Sequence, residues 1–231
     1  LVSGSKLKRS QGRLVQSREV LAFLDDLLQR VRLSCAEIPS HPLCLHDALG
    51  ASGPSALVVV TSDTGLCGSY NTNLIQLAEA HLRRDSARAT QIIYIGKKGH
   101  RYFTKRGYPA AESYIDLAGR PDPKKAEAIG RALIARFLSG QVASVDVLYS
   151  RFVSSVVYRR TMTRWHPVLP SPFSRSADAP VSSAPSDYIF EPSPARVFEE
   201  LLPRWALAKF QLLLFEAFTS EHSARMIAMK N

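Results

Sequence analysis

Eight consecutive residues in the middle of the chain have the make-up of a reactive turn: Ser62-Asp63-Thr64-Gly65-Leu66-Cys67-Gly68-Ser69. They follow the apolar, β-branched run ALVVVT at 56–61 and precede a helical pattern from about Asn71 to Arg84. A strand-to-helix turn in an α/β sheet often holds phosphates, because the helix that follows offers unpaired N–H groups. This turn has no G-x-G-x-x-G spacing and no G-K-[ST] end, so no lysine meets a phosphate and nucleotide binding has little support. Cys67 is the other candidate, as a nucleophile on a sharp turn. A thiol needs a base within hydrogen-bond reach, and no histidine stands nearby in sequence; only the fold could bring up His81, His100 or His166. The preferred reading is a small buried cysteine in a tight turn, with Gly65 and Gly68 supplying backbone freedom.

Two further clusters carry charge. Lys97, Lys98, His100, Arg101, Lys105 and Arg106 interleave with Tyr102 and Phe103, a pattern that nucleic acid could use. A solvated or partner-facing surface is the preferred reading, as for most charge runs. His222 lies beside Glu221 and near Arg225 in a helical stretch, where a lone histidine more often pins the register than holds a ligand.

Two long helical patterns frame these residues. From Ser193 to Asn231, apolar residues recur at steps of three and four: Phe198, Leu201, Trp205, Ala208, Leu212, Phe215, then Thr219, His222, Met226 and Met229. That repeat is a coiled-coil seam, with Ser193 as N-cap and Pro194 in the first turn. Pro203 should kink the helix or mark where it leaves its domain. At about 55 Å, the helix is longer than a domain of this size is deep, so part of it should leave the body and meet a partner. Residues 3–34 repeat the pattern with Leu7, Ser10, Leu14, Ser17, Leu21, Leu24, Leu28 and Val31. The two helices can close as an antiparallel coiled coil with the rest of the chain inserted between them.

The inserted part alternates strand and helix. Strands are expected at 56–61, 91–96, 113–117, 145–149 and 153–165, and helices at 71–84, 97–106 and 123–139. That order implies a layered α/β domain with a mainly parallel sheet. Residues 170–187, rich in Ser, Pro and Ala, read as a flexible linker, and Tyr188 to Phe190 as a short strand leading into the last helix. The expected divisions are therefore 1–48, 49–169, 170–187 and 188–231.

The totals narrow the class. Thirty Lys and Arg against twenty Asp and Glu give a formal charge of +10, which favours acidic partners: nucleic acid, an anionic membrane surface or an acidic protein. Cys35, Cys44 and Cys67 have no metal-ligand spacing and suggest no disulfide framework. No apolar run is long enough to span a bilayer, and no signal-peptide pattern is present. Leu1 and Asn231 both stand in helical rhythm, so both helices are expected to continue beyond them.

Three separated stretches resemble the gamma subunit of the rotary F-type ATP synthase: LVSGSKLKRSQ at 1–11, TSDTGLCGSYNTN at 61–73 and SEHSARMIAMKN at 220–231. The lead-in DYIFEP at 187–192 resembles it too, and order and spacing agree along the whole chain. Thr64 departs from the family, which usually has arginine there, and the 170–187 stretch is unusually rich in Pro and Ser. No redox-switch insertion of the chloroplast type is present; Cys35 and Cys44 lie in the wrong region for one.

The resemblance implies an α/β fold: an antiparallel coiled coil of N- and C-terminal long helices with an inserted Rossmann-like domain. It implies a rotor shaft at the bacterial membrane's cytoplasmic face, or on the corresponding mitochondrial or plastid side. The partners would be the alpha and beta subunits of the catalytic hexamer, the epsilon subunit and the membrane c-ring. This chain would carry no catalytic site, cofactor or metal; ATP, ADP and Mg would sit on partner subunits. Lys6, Arg9, Arg225, Met226, Met229 and Lys230 would face the hexamer. Asp63, Gly65, Cys67 and Gly68 would form a structural motif, and Leu14, Leu21, Leu24, Leu28, Trp205, Leu212 and Phe215 the seam. The alternative is a basic α/β nucleic-acid-binding protein with a coiled-coil arm; a hydrolase or transferase using Cys67 is a weaker rival.

Overall fold

The computed structural model describes residues 2–35, 39–44, 53–85, 88–168 and 188–230. The divisions at 48/49 and 169/170 and the expected linker at 170–187 lie outside these residues. In chain order the elements are α1 (Val2–Leu33), β1 (Ser55–Val60), α2 (Tyr70–Arg84), β2 (Thr90–Ile95), α3 (Lys97–Thr104), β3 (Ala110–Tyr114), α4 (Pro123–Leu138), β4 (Ser144–Phe152), β5 (Tyr158–His166) and α5 (Pro194–Ala228).

The strands form one sheet in the order β3-β2-β1-β4-β5. β1 to β4 run parallel, and β5 closes the far edge antiparallel to β4. Every residue of β1 is buried, as a central strand covered on both faces requires. Its side chains alternate between two cores, following the two-residue period of a strand. Leu57 and Val59 face α2 and α3 together with Tyr70, Leu74 and Phe103. Val58 and Val60 face α1, α4 and α5 together with Leu14, Leu133 and Phe210.

α1 and α5 pair antiparallel. Ser10 meets Thr219, Ser17 meets Gln211 and Asp25 meets Trp205, so the contacts step in opposite directions along the two helices. Leu14, Leu28, Trp205 and Phe215 are buried between them or against the sheet, and Leu21, Leu24 and Leu212 are partly buried against the same core. Ser193 caps α5, its Oγ accepting from the Arg196 N–H at 3.3 Å. Pro203 leaves α5 unbroken; the Glu199 carbonyl, which proline gives no helical donor, faces the His41 ring. Part of α5 was expected to stand clear of the body. Instead the helix lies along the sheet as well as along α1, and its length is taken up by contact with both.

Three expected strands are corrected. The third lies at Ala110–Tyr114, because Tyr114 pairs with the last residue of β2, Ile95; Asp116 and Ala118 take left-handed conformations with φ of 65° and 51°, which a strand cannot use. Val153 to Val157 form a hairpin turn rather than the start of β5. There the Ser154 hydroxyl accepts from the Val156 and Val157 N–H groups, and Val156 is 69% exposed. The valines gave this turn the appearance of a strand. Residues 188–190 join no sheet; Tyr188 lies instead under the Arg30 guanidinium, 5.4 Å from its carbon.

His166 ends β5 in the core, with its ring 4.2 Å from Trp165 and 5.2 Å from Phe137, centroid to centroid. Among the described residues neither ring nitrogen has a close hydrogen-bond partner; the nearby Leu43 carbonyl, which accepts from Val168 N–H at 2.7 Å, acts only weakly on the ring. Burial first, and then the Lys209 charge, push its pKa down to about 3. A folded-state value below the unfolded one means stability is full above pH 6.5 and falls as pH drops toward 3, by about 5 kcal/mol in all. His166→Phe should remove that share of the acid sensitivity. The check is denaturant unfolding at pH 7 and pH 4, in which the variant should lose less stability than the native chain.

Candidate functional site

The 62–69 turn lies against the C-terminal part of α5, and Asp63 organises the junction. Its carboxylate accepts from the Lys97 N–H at 3.0 Å, the Asp116 N–H at 3.1 Å and the Ala118 N–H at 2.6 Å. One side chain thus caps α3 and fixes the left-handed loop after β3. Gly96, at φ 97°, lets the chain pass the Thr61 carbonyl, where a Cβ would lie 2.1 Å from the oxygen. Asn71, in the first turn of α2, accepts from Ser62 N–H at 3.0 Å and donates to Ser62 Oγ at 2.8 Å and Cys67 Sγ at 3.1 Å.

Cys67 is therefore a buried thiol whose polar neighbours are an amide, a hydroxyl and a carbonyl. None of these groups can serve as a base. Gly65 and Gly68 shape the turn, Gly68 at φ 55°. The basic helix α3 is engaged in the same structural way. Lys97 pairs with Asp116, Tyr102 donates to Glu79 at 2.9 Å, the Arg106 guanidinium lies 3.7 Å over the Tyr102 ring and Phe103 is buried. Of the interleaved aromatics, Phe103 is a core group and the half-buried Tyr102 packs against Phe103 and Arg106.

α5 meets this junction through buried polar groups. From Leu213 to Ala224 every residue is buried, so each polar side chain there needs an internal partner. Glu216 accepts from Arg18 at 2.8 Å, and that guanidinium also donates to the Phe152 carbonyl at 2.9 Å. Thr219 donates to the Phe215 carbonyl at 2.7 Å and therefore accepts from the Ser10 hydroxyl, also at 2.7 Å. Ser220 and Ser223 donate to the carbonyls of Ser150 and Ser155. His222 Nε2 lies 2.9 Å from the Gly119 carbonyl and so carries the proton, leaving Nδ1 toward Arg225 at 3.5 Å. From the other side, Tyr70 and Trp165 donate to the Ala217 and Ala206 carbonyls of α5 at 3.0 Å. α5 is thus fastened to α1, to β4, to the β4–β5 hairpin, to α2 and to the 116–120 loop.

Arg225 completes the joint. Its guanidinium donates to Glu221 at 2.7 Å, to Thr64 Oγ1 at 2.9 Å and to the Gly65 carbonyl at 3.2 Å. The Thr64 hydroxyl, which departs from the family pattern, is thus used as an acceptor. Burial pushes the Glu221 carboxyl up, and the Arg225 charge opposes it. Burial also pushes His222 down, opposed by its bond to Gly119 and reinforced by the Arg225 and Lys6 charges. The imidazole is neutral, and the arrangement is a closed network.

The residues expected to face a partner divide. Lys6, Arg9, Met229 and Lys230 are exposed, and Met226 is half-buried. The Arg225 side chain is only 12% exposed and turned inward. Sequence reasoning missed Glu216, Arg18, Tyr70, Asn71 and the 116–120 loop. The available signal was the charged Glu216 and Glu221 inside an otherwise apolar helix, each of which demands a partner. Among the described residues, no group of three or more His, Cys, Asp or Glu is placed to hold a metal ion, and no helix is long and apolar enough to cross a membrane.

Removing one member of a buried ion pair strands the other. Arg225→Met should therefore destabilise the chain by about 3 kcal/mol, and adding Glu221→Gln should recover most of the loss. Unfolding of the two single variants and the double variant measures the coupling.

Comparison with known proteins agrees with this architecture. The ATP synthase family model matches residues 1–231. The ATP synthase gamma chain of Moorella thermoacetica is 32% identical over 231 residues, covering 100% of this chain and 77% of that one. The gamma chain of Symbiobacterium thermophilum is 35% identical over the same extents. Among solved structures, the central stalk and c-ring of the Tetrahymena thermophila mitochondrial ATP synthase contains a chain that matches with a TM-score of 0.64 at 20% identity, covering 100% of this chain and 95% of that one. The rotor of the Euglena gracilis enzyme gives 0.54 at 14% identity, covering 100% and 89%. None of these relatives supports the nucleic-acid alternative. With paired terminal helices fastened along a five-stranded α/β body and a family match over its whole length, the chain belongs to the ATP synthase gamma-chain family.

Proposed function

We propose that this chain is the central-stalk rotor of a rotary ATP synthase, coupling ion flow through the membrane sector to ATP synthesis or hydrolysis in a surrounding hexamer. In this reading residues 1–48 and 188–231 supply the shaft and residues 49–169 the body. The body docks on the epsilon subunit and the c-ring, and the whole sits peripherally at the membrane. Catalysis, ATP, ADP and Mg belong to the alpha and beta subunits. Rotation works by differential binding: each orientation of an asymmetric shaft favours one conformation of the subunit it faces.

One observation carries the reading. α5 is buried and hydrogen-bonded both to α1 and to the sheet, so a torque on the body reaches the helix pair without a compliant linkage between them. The exposed residues near the helix ends, Lys6, Arg9, Met229 and Lys230, are the groups left to meet acidic surfaces of the hexamer, where complementary charge sets register more than affinity. Met226 and Arg225 complete the proposed contact set, but the Arg225 guanidinium is turned inward onto Glu221 and Thr64, so an acidic residue at 225 would break the Glu221 pair before it tested any contact.

Native mass spectrometry of the complex purified from its own cells should find one copy of this chain with three copies each of two larger ATPase subunits. A free chain, or one carrying nucleic acid, would overturn the reading. Within the complex, Lys230→Glu should lower ATP-driven ion pumping relative to ATP hydrolysis. An unchanged ratio would remove Lys230 from the contact set.

A further inference from the structure

The β4–β5 hairpin takes hold of both long helices. Its carbonyls at Ser150 and Ser155 accept from Ser220 and Ser223 of α5. From α1, Gln11 donates to Ser155 Oγ at 3.2 Å and Arg18 to the Phe152 carbonyl at 2.9 Å. We infer that Arg18 is a positioning residue of the rotor, passing load between α1 and the sheet directly through the hairpin rather than through α5 alone. The inference rests on the rotor reading and deepens it, by assigning part of the torque path to a named side chain.

α1 meets α5 along a seam that includes Leu7, Ser10, Leu14 and Ser17, all buried, and the seam is keyed by the Ser10–Thr219 and Ser17–Gln211 bonds. Two rods that touch along one line can still roll about that line. A tie to a third body, placed off the line, stops the roll. Gln11 and Arg18 are such ties. Each follows a seam residue by one position, which turns it about 100° around the helix, and the two stand seven residues apart on one side of α1. Their target is stiff. Phe152 ends β4 and is paired with Tyr158 of β5, and the Val153 and Ser154 N–H groups close the turn onto the Val157 carbonyl at 3.1 and 2.9 Å.

One nitrogen of Arg18 serves two elements: Nη2 donates to Glu216 at 2.8 Å and to the Phe152 carbonyl. The Glu216 side chain is 6% exposed, so its carboxylate holds the guanidinium in place, and the planar fork then aims a second N–H at the hairpin. Glu216 also acts on the Tyr149 hydroxyl of β4, which burial first and then the Glu216 charge push up to about 12. α1, α5 and β4 thus meet at one buried carboxylate. Stability alone does not call for charge here, since well-packed apolar residues often replace a buried ion pair without loss. The bond to Phe152 is what an apolar pair would not supply.

The double variant Arg18→Met/Glu216→Gln separates positioning from stability. It strands no charge, and the amide at 216 can still bond Tyr149, so the melting temperature of the full chain should stay within about 4 °C of the native value. Spin labels on cysteines placed at Val15 and Val156, both exposed, in a background with Cys35 and Cys44 replaced by alanine, report the distance from α1 to the hairpin tip. Pulsed electron resonance should give a narrow distribution for the native pair and a broadened one for the double variant. In the assembled complex, ion pumping per ATP hydrolysed should fall. If the double variant melts lower than expected, Arg18→Lys carries the same two expectations: it keeps the charge beside Glu216, on a stem that ends short of the guanidinium nitrogens. An unbroadened distribution, or a native pumping ratio in the folded variant, would overturn the role of Arg18 alone. A native complex that lacks this chain or does not pump would overturn the rotor reading, and this role with it.

Discussion

A helix buried on every side cannot leave a polar side chain to water. Between Leu213 and Ala224, α5 carries Glu216, Thr219, Ser220, Glu221, His222 and Ser223, and none of the six can be solvated. Together they are bonded to five parts of the molecule: Glu216 and Thr219 to α1, and the others to β4, the hairpin, the 116–120 loop and the next turn of α5 itself. An apolar helix could slide or rotate within such a socket at small cost, since hydrophobic contact is non-directional. Directional bonds from five of the six to four other parts of the molecule admit one register and one rotation, because any slip would bury unpaired donors and acceptors together.

That constraint explains why the surrounding elements are so tightly specified. The 116–120 loop must present the Gly119 carbonyl to His222, and it does so in left-handed conformations that two bonds to Asp63 help to hold. A Cβ at residue 119 would approach Glu221 and His222 to 3.1 Å, so the loop packs against α5 as closely as backbone allows. The same Asp63 caps α3, which ties the sheet's phosphate-type turn to a structural task. In a rotor the result is mechanical: helix pair and sheet turn as one body, and the asymmetry of the shaft survives the torque.

Sequence periodicity made the large elements legible. Steps of three and four placed both long helices, and continuous β-branched runs placed β1 and β2, because those patterns follow directly from helix and strand geometry. The seam's polar members, Ser10, Ser17, Thr219 and His222, looked like interruptions of an apolar stripe. The fold gives each a partner, and Ser10 and Thr219 are partners of each other. That pairing is 209 positions apart in sequence, and no local pattern reveals it. The hairpin at 153–157 was misread because three valines have strand propensity while the Ser154 hydroxyl decides the turn. In the sequence Arg225 is one more basic residue near a helix end; only the packed Thr64–Gly65 backbone shows where its guanidinium goes.

The central claim is that the helix pair is one rigid element whose register never changes while it works. Ser10→Cys with Thr219→Cys places two thiols where hydroxyls now stand 2.7 Å apart, in a background with Cys35 and Cys44 replaced by alanine. The assembled complex is oxidised to form the disulfide, and ion pumping per ATP hydrolysed is compared with that of the same complex reduced. The account predicts equal ratios in the two states. Loss of pumping on cross-linking, with restoration on reduction, would mean that the helices move against each other during rotation and would contradict it.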